Sequence, residues 1–168
     1  MEIAHREGVQ TVPISPIGRV LGRLPSGLLV LTTRKGQQET GMLVSWVMQA
    51  GFAPPTVTVA IRHGRYVEDW LTQGAAFVLN LLDQDHKHLL RYFAKGFPPQ
   101  EQPFTTLDVE RTARGVVVLQ EALGYLECEP CSHIDSADHR IFLARVTEGR
   151  LLAARAPMVH VRQSGMNY

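Results

Sequence analysis

The sequence predicts a mainly β protein: a closed or partly closed antiparallel barrel with helices on its outside. Three observations predict it. Apolar runs of strand length recur at 28–34, 41–47, 56–61, 76–82, 116–119, 124–134, 139–147 and 157–162. Turn residues separate many of them at hairpin spacing, around Gly36, Gly115, Asp135–Asp138 and Gly149. Helical patterns occur only at the start and on either side of the 76–82 run, too few for the strand–helix alternation of a parallel sheet.

Residues 1–14 read as an N-terminal arm of a single domain spanning 1–168. The next stretch, "SPIGRVLGRL", has Ser15 as a cap and Pro16 at the first helical position. Ile17, Val20, Leu21 and Leu24 fall on one face of that helix. "LLVLTTR" (28–34) is a buried strand, and Lys35-Gly36-Gln37-Gln38 turns it back into "GMLVSWV" (41–47). "TVTVAI" (56–61) alternates, with Val57, Val59 and Ile61 on one side. "YVEDWLTQG" (66–74) is a short helix with Tyr66, Val67, Trp70 and Leu71 inward and Gly74 as its stop. "AFVLNLL" (76–82) is a strand again. "DQDHKHLLRYFAKG" (83–96) is amphipathic, with Leu89, Leu90 and Phe93 inward. Residues 97–106, "FPPQEQPFTT", are a proline-rich loop that reads equally as a lid and as a plain connection.

Composition narrows the function. The chain has 168 residues, 45% apolar and 20% charged, with a net charge of +1. That balance is globular and gives no electrostatic support for nucleic-acid binding. No secretory leader is apparent, and no apolar run reaches the roughly 20 residues of a membrane helix. Two cysteines do not make a disulfide framework. The expected compartment is the cytoplasm.

No glycine-rich dinucleotide motif, P-loop or G-x-S-x-G elbow occurs. "CEPCSH" (128–133) offers Cys128, Cys131 and His133, with His139 as a fourth zinc ligand. A single Cys-x-x-Cys inside a strand pattern argues against it, so no metal is expected. Asp138-His139 reads equally as a substrate-binding pair and as a turn closing onto a strand. Ser45, Gln49, Arg62, Arg65 and Asn80 form another set. Hydroxyl, amide and guanidinium groups beside an apolar wall suit a phosphate-bearing heterocycle. The bland alternative is that Ser45, Gln49 and Asn80 satisfy neighbouring backbone while both arginines are solvated.

At these residues a resemblance enters. "SGLLVLTT", "TGMLVSWVMQAGFAPPTVTVAI", "VEDWLTQGAAFVLNLL", "ADHRIFLARVTEGRLL" and "HVRQSGMNY" resemble the flavin reductase-like FMN-binding split barrels. They look most like the C-terminal flavin reductase module of flavodiiron (diflavin) proteins, over roughly residues 17–168. The resemblance implies an antiparallel split β-barrel with peripheral helices, a homodimer, and FMN, with FAD as the other flavin. It implies hydride transfer from NADH or NADPH to flavin, or alternatively an electron-relay module serving an electron-acceptor protein without its own nicotinamide turnover. It nominates Ser45, Trp46, Gln49 and Ala50 along the flavin, Arg62, Arg65 and Tyr66 at its phosphate, Asn80 in the strand after the helix, and His139 near the reacting rings. Met48 and Gly51 stand where the family often has serines, and Ala137 replaces the glycine of Gly-Asp-His. Trp46, Phe93 and Phe97 are candidates to limit access to the ring, Phe93 being read as core. A related haem reading would need His63 or His160 as axial ligand.

Overall fold

The computed structural model describes residues 13–167. Twelve residues of the expected N-terminal arm, 1–12, lie outside that range, as does Tyr168. The described chain forms two units, one from the segment before Ser26 together with Val161 onward, the other Ser26–His160.

In the smaller unit, helix α1 spans Pro16–Leu21 with Ser15 accepting from the Gly18 amide at 3.0 Å. The expected apolar stripe is not its packed face: Ile17 and Val20 are exposed. Glycine decides this instead. The C-terminal tail closes onto Gly18 and Gly22 through amides of Gly165 (2.7 Å) and Arg162 (2.8 Å). A Cβ on Gly22 would sit 2.5 Å from the Arg162 carbonyl, so only a bare backbone admits the tail.

The larger unit begins with β1 (Ser26–Gly27), β2 (Leu29–Lys35), β3 (Gln38–Val44), β4 (Val47–Phe52) and β5 (Pro55–Arg62). Helix α2 (Tyr66–Thr72), β6 (Phe77–Leu81) and α3 (Lys87–Ala94) follow. Then come β7 (Val109–Arg111), β8 (Val117–Leu119), β9 (Gly124–Ser136), β10 (His139–Leu151) and β11 (Val159–His160). Seven strands make one antiparallel sheet in the order β3-β2-β6-β9-β10-β5-β4; β1 pairs with β11, and β7 with β8.

The sheet's two edge strands, β3 and β4, are consecutive in the chain, with only Ser45 and Trp46 between them. Val44 and Val47 are three Cα steps apart, at most about 11 Å. Seven strands laid flat would hold their edges about 29 Å apart. The sheet therefore curls until its edges approach, and it is split where Ser45-Trp46 crosses. The expected split barrel is the observed architecture.

Alternation builds the core on both sides of this wall. Leu29, Leu31, Phe77, Leu79, Val57, Val59, Ile61 and Phe142 pack together with Val67 and Leu71 of α2. Val30 and Leu82 bury against Leu89 and Phe93 of α3 and Val117 and Leu119 of β7–β8. That is why β2 is buried at consecutive positions: both faces are covered. Phe97 joins this cluster, so it is core and does not guard an opening. The 97–106 loop is held down by Phe97, Phe104 and the Tyr92 hydroxyl, which donates to Pro103 O at 2.8 Å.

Candidate functional site

Short range decides where the polar residues fall. Ser45 and Trp46 form the crossing between the sheet edges. The Trp46 carbonyl accepts from Ala60 of β5 at 3.0 Å, which fixes the crossing beside the end of that strand. Arg62 ends β5 and lies opposite His139, the first residue of β10. The Trp46 and His139 rings face each other at 4.7 Å between centroids, tilted by 40°. Trp46, Arg62 and His139 therefore share one corner of the barrel.

His139 is buried, and its Nδ1 lies 2.7 Å from Asp138 Oδ1. A carboxylate only accepts, so Nδ1 carries the proton and the ring orientation is set. The bond from His139 holds the Asp138 carboxyl below the usual aspartate range, with Arg62 adding to the effect. The turn before it is tight: Ala137 adopts φ +50°, a conformation its Cβ disfavours.

The neighbouring loop, Arg62-His63-Gly64-Arg65, is built around a residue that the sequence did not nominate. Glu68 is buried on α2 and accepts from His63 Nδ1 at 2.8 Å and from the Gly64 amide at 3.1 Å. Its third contact is Arg140 Nε at 3.5 Å. Arg140 reaches onward to Asp135 at 2.7 Å and Thr72 at 3.0 Å. One carboxylate thus bolts the 62–65 loop to the β9–β10 hairpin. The signal for it was a glutamate at the third position of α2, where a side chain turns back to bond the backbone before the helix. Gly64, at φ +82°, supplies the backbone bend.

Arg62 and Arg65 are both exposed on this loop, and among the described residues neither is ion-paired with a carboxylate. Tyr66 behaves differently. Its hydroxyl is shared with Thr40 Oγ1 at 2.6 Å and bonds the Phe97 carbonyl. Burial pushes its phenol above the ordinary tyrosine value. It ties the 97–106 loop to α2 and presents no spare group.

Gln49 and Ala50 lie farther along the edge strand β4, exposed, with Ala50 extruded by a bulge between Gln49 and Gly51. Gln49 makes only a long 3.5 Å contact to Gly51 O. A Cβ on Gly51 would sit 2.7 Å from Thr56 Oγ1, which accounts for glycine there. Asn80 is not brought to the corner. It is fully buried; its amide donates to Val30 O (3.1 Å) and Thr32 Oγ1 (3.3 Å), and its oxygen accepts from Leu119 N (2.8 Å). These bonds join β2, β6 and β8, so the bland reading of Asn80 describes its place.

The cysteines do not converge either. Cys128 is buried, and desolvation, with Glu127 adding to it, pushes its thiol up to about 12. Cys131 is exposed at the residue that β9 extrudes opposite Leu143 and Ala144.

Residues 21–167 match the model of the flavin reductase like domain. Diflavin flavoprotein A 1 of Synechocystis sp. is 38% identical over 156 residues, covering 92% of this chain and 27% of that protein. This chain therefore spans about a quarter of the length of the curated relatives it matches. Among solved structures, the Streptomyces globisporus C-1027 NADH:FAD oxidoreductase SgcE6 superposes with a TM-score of 0.78 at 27% identity, over 85% of each chain. It has also been solved in complex with NAD and FAD fragments. The styrene monooxygenase flavin reductase SMOB of Pseudomonas putida S12 gives 0.73 at 27% identity, over 85% of this chain and 90% of that one.

Proposed function

The chain belongs to the flavin reductase-like domain family, and from that premise we propose that it holds FMN and transfers a hydride from NADH or NADPH to flavin. The observation that carries this reading is the convergence of Trp46, Arg62 and His139 where the sheet crosses over itself, beside a braced loop bearing Arg65. FMN supplies the hydride-accepting chemistry when bound. The donor set fits it. Arg62 and Arg65 carry the charge a phosphate monoester needs, and Glu68 holds their loop in place in advance. Trp46 and His139 offer an aromatic corner, their rings tilted by 40°, and Ser45, Gln49 and Ala50 extend it along the edge.

His139 orients the nicotinamide in this reading, keeping its own proton at Nδ1 against Asp138. It acts by position and transfers no proton. A second copy of the chain covers β4, where Met48 (72%) and Phe52 (89%) are exposed beside unpaired backbone. Among the described residues no helix is long and apolar enough to cross a membrane. We place the protein in the cytoplasm.

The test is anaerobic mixing of purified protein with FMN and each reduced nicotinamide, following loss of the reduced-nicotinamide absorbance. Turnover with either supports the assignment; none with both overturns it. Arg62→Gln should weaken FMN binding by about tenfold or more, the scale of one charge-assisted hydrogen bond. The length of the curated relatives favours one alternative, an FMN-bearing electron relay for a partner protein. Bound yellow flavin without nicotinamide turnover is its signature.

A further inference from the structure

Helix α1 packs a face other than the one its sequence marks. Ile17, Val20, Leu21 and Leu24 recur at helical spacing and share an arc of about 100°. Ile17 is 70% exposed, Val20 69%, Leu24 62% and Leu21 39%. Past Leu21 the chain continues as a tighter turn, with Arg23 N on Val20 O at 2.9 Å and Leu24 N on Leu21 O at 3.2 Å. Residues three apart eclipse in such a turn, so Leu24 stays on the stripe with Leu21.

Glycine holds the stripe outward. The C-terminal tail lies so close to α1 that a Cβ on Gly165 would sit 2.2 Å from Leu21 Cβ, and one on Gly18 2.9 Å from Met166 Cγ. Met166, itself exposed, extends the apolar surface from the tail side. Turning α1 to bury the stripe under the tail would break the bonds from the Gly165 and Arg162 amides.

Charge says what covers it. The described residues of this unit, 13–25 and 161–167, carry Arg19, Arg23 and Arg162 and no Asp or Glu. Residues 1–12 add Arg6 against Glu2 and Glu7, so the unit stays basic although the whole chain has a net charge of only +1. Arg19 and Arg23, four residues apart and exposed, run along the flank of the stripe next to Val20. A second copy docking here would bring the same cations against these, and like charges oppose that pairing. The stripe itself is aliphatic throughout and has no hydrogen-bonding group with which to read a protein partner. Aliphatic anchors beside guanidiniums suit a fluid anionic surface, which takes the side chains at its acyl boundary and the cations at its phosphates.

We infer that α1 docks this protein on an anionic lipid surface, with Ile17, Val20 and Leu24 entering the headgroup–acyl boundary and Arg19 and Arg23 meeting lipid phosphates. The contact is peripheral and reversible, and the cytoplasmic leaflet is the anionic one. It uses no residue of the flavin corner and is independent of that reading.

Flotation of the full chain with vesicles of phosphatidylcholine, with and without phosphatidylglycerol, tests it. Co-flotation is expected only with the anionic vesicles. It should fall as salt rises from about 0.1 to 1 M, where the screening length shrinks from about 10 to 3 Å. The pair Arg19→Gln and Arg23→Gln should weaken it by about tenfold or more, and the pair Val20→Ser and Leu24→Ser by as much. All four side chains are exposed, so both variants should melt with the parent protein. No flotation with either vesicle overturns the proposal. So does equal flotation with both, or flotation that survives either pair of substitutions. Concentration-dependent self-association that the Val20→Ser and Leu24→Ser pair abolishes would give this face to a second copy, and overturns it too.

Discussion

Glu68 and Glu127 are both buried carboxylates on the same small barrel, yet they are served very differently. Both oxygens of Glu68 are used, on His63, the Gly64 amide and Arg140. Glu127 has one oxygen on Arg114 and the other on nothing among the described residues. The first is a strut. Its partners come from one loop and one strand, and its work is to hold them together. The second is a half-used charge buried in the sheet. Burial alone would have ranked the two together; only the fate of each oxygen separates them.

The largest effect should follow from removing the strut. Glu68→Ala strips a part-buried histidine–carboxylate bond, a backbone bond and one of the contacts of Arg140, and should cost about 3 kcal/mol. At this size that is a fall of about 10 °C in Tm, readable by circular dichroism. FMN affinity should drop with it, because Arg62 and Arg65 lose their fixed loop. An unchanged melting curve would refute the strut. Asn80→Ala comes next, at about 2 kcal/mol, since it leaves Leu119 N and Val30 O without their partner. It should not alter flavin affinity in the protein that remains folded. A selective loss of flavin binding would return Asn80 to the ligand set.

The contrast also explains what the sequence could and could not tell. The strands around Val57–Ile61 and Phe77–Leu81 were legible because alternation and β-branched content are local properties. The helix stop at Gly74 was legible for the same reason, and that residue adopts φ +86°. Strand β4 was not, because Ser45-Trp46 looks like a continuation of β3 until the sheet curls and the two halves of one apolar run end on opposite edges. Arg62 and His139 lie far apart in the chain, and the resemblance, not spacing, named them together. Glu68 was half legible: its place in the first turn of α2 and its bonds to His63 and Gly64 are local, but its contact with Arg140 needs the β10 register. Phe97 read as a guard because proline surrounds it, whereas tertiary packing buries it with Phe93.

Around Glu127 the expected changes are smaller. Glu127→Gln keeps an acceptor for Arg114 and removes a buried charge that is only half used, so stability should move by less than about 1 kcal/mol. The contrast with Glu68→Ala is the measurement of interest; equal losses would erase the distinction. Cys128 reports on the same region. Burial is the main reason its thiol sits near 12, with the Glu127 charge secondary. In native protein at mildly alkaline pH, iodoacetamide should modify Cys131 and spare Cys128, and Glu127→Gln should not change that. Native labelling of Cys128 would mean that this part of the wall opens.

The smallest effect lies inside the braced corner. Ala137 holds φ +50° in the turn between β9 and β10. A left-handed alanine costs about 1 kcal/mol, and glycine removes that strain while adding freedom to the unfolded chain. Ala137→Gly should therefore stabilise by about 0.5 kcal/mol, near the limit of a urea titration. Its value is in what stays constant. Asp135 and Asp138 flank this turn, and both have carboxyls held low by bonds, from Arg140 and from His139. A lowered carboxyl contributes above its unfolded value and loses that contribution as pH falls through the folded one. If Glu68, Arg140 and Asp135 set the corner, relaxing residue 137 leaves this acid limb where it was. A shift of the limb in Ala137→Gly would show that the turn, and not the carboxylate behind it, holds His139 against Trp46.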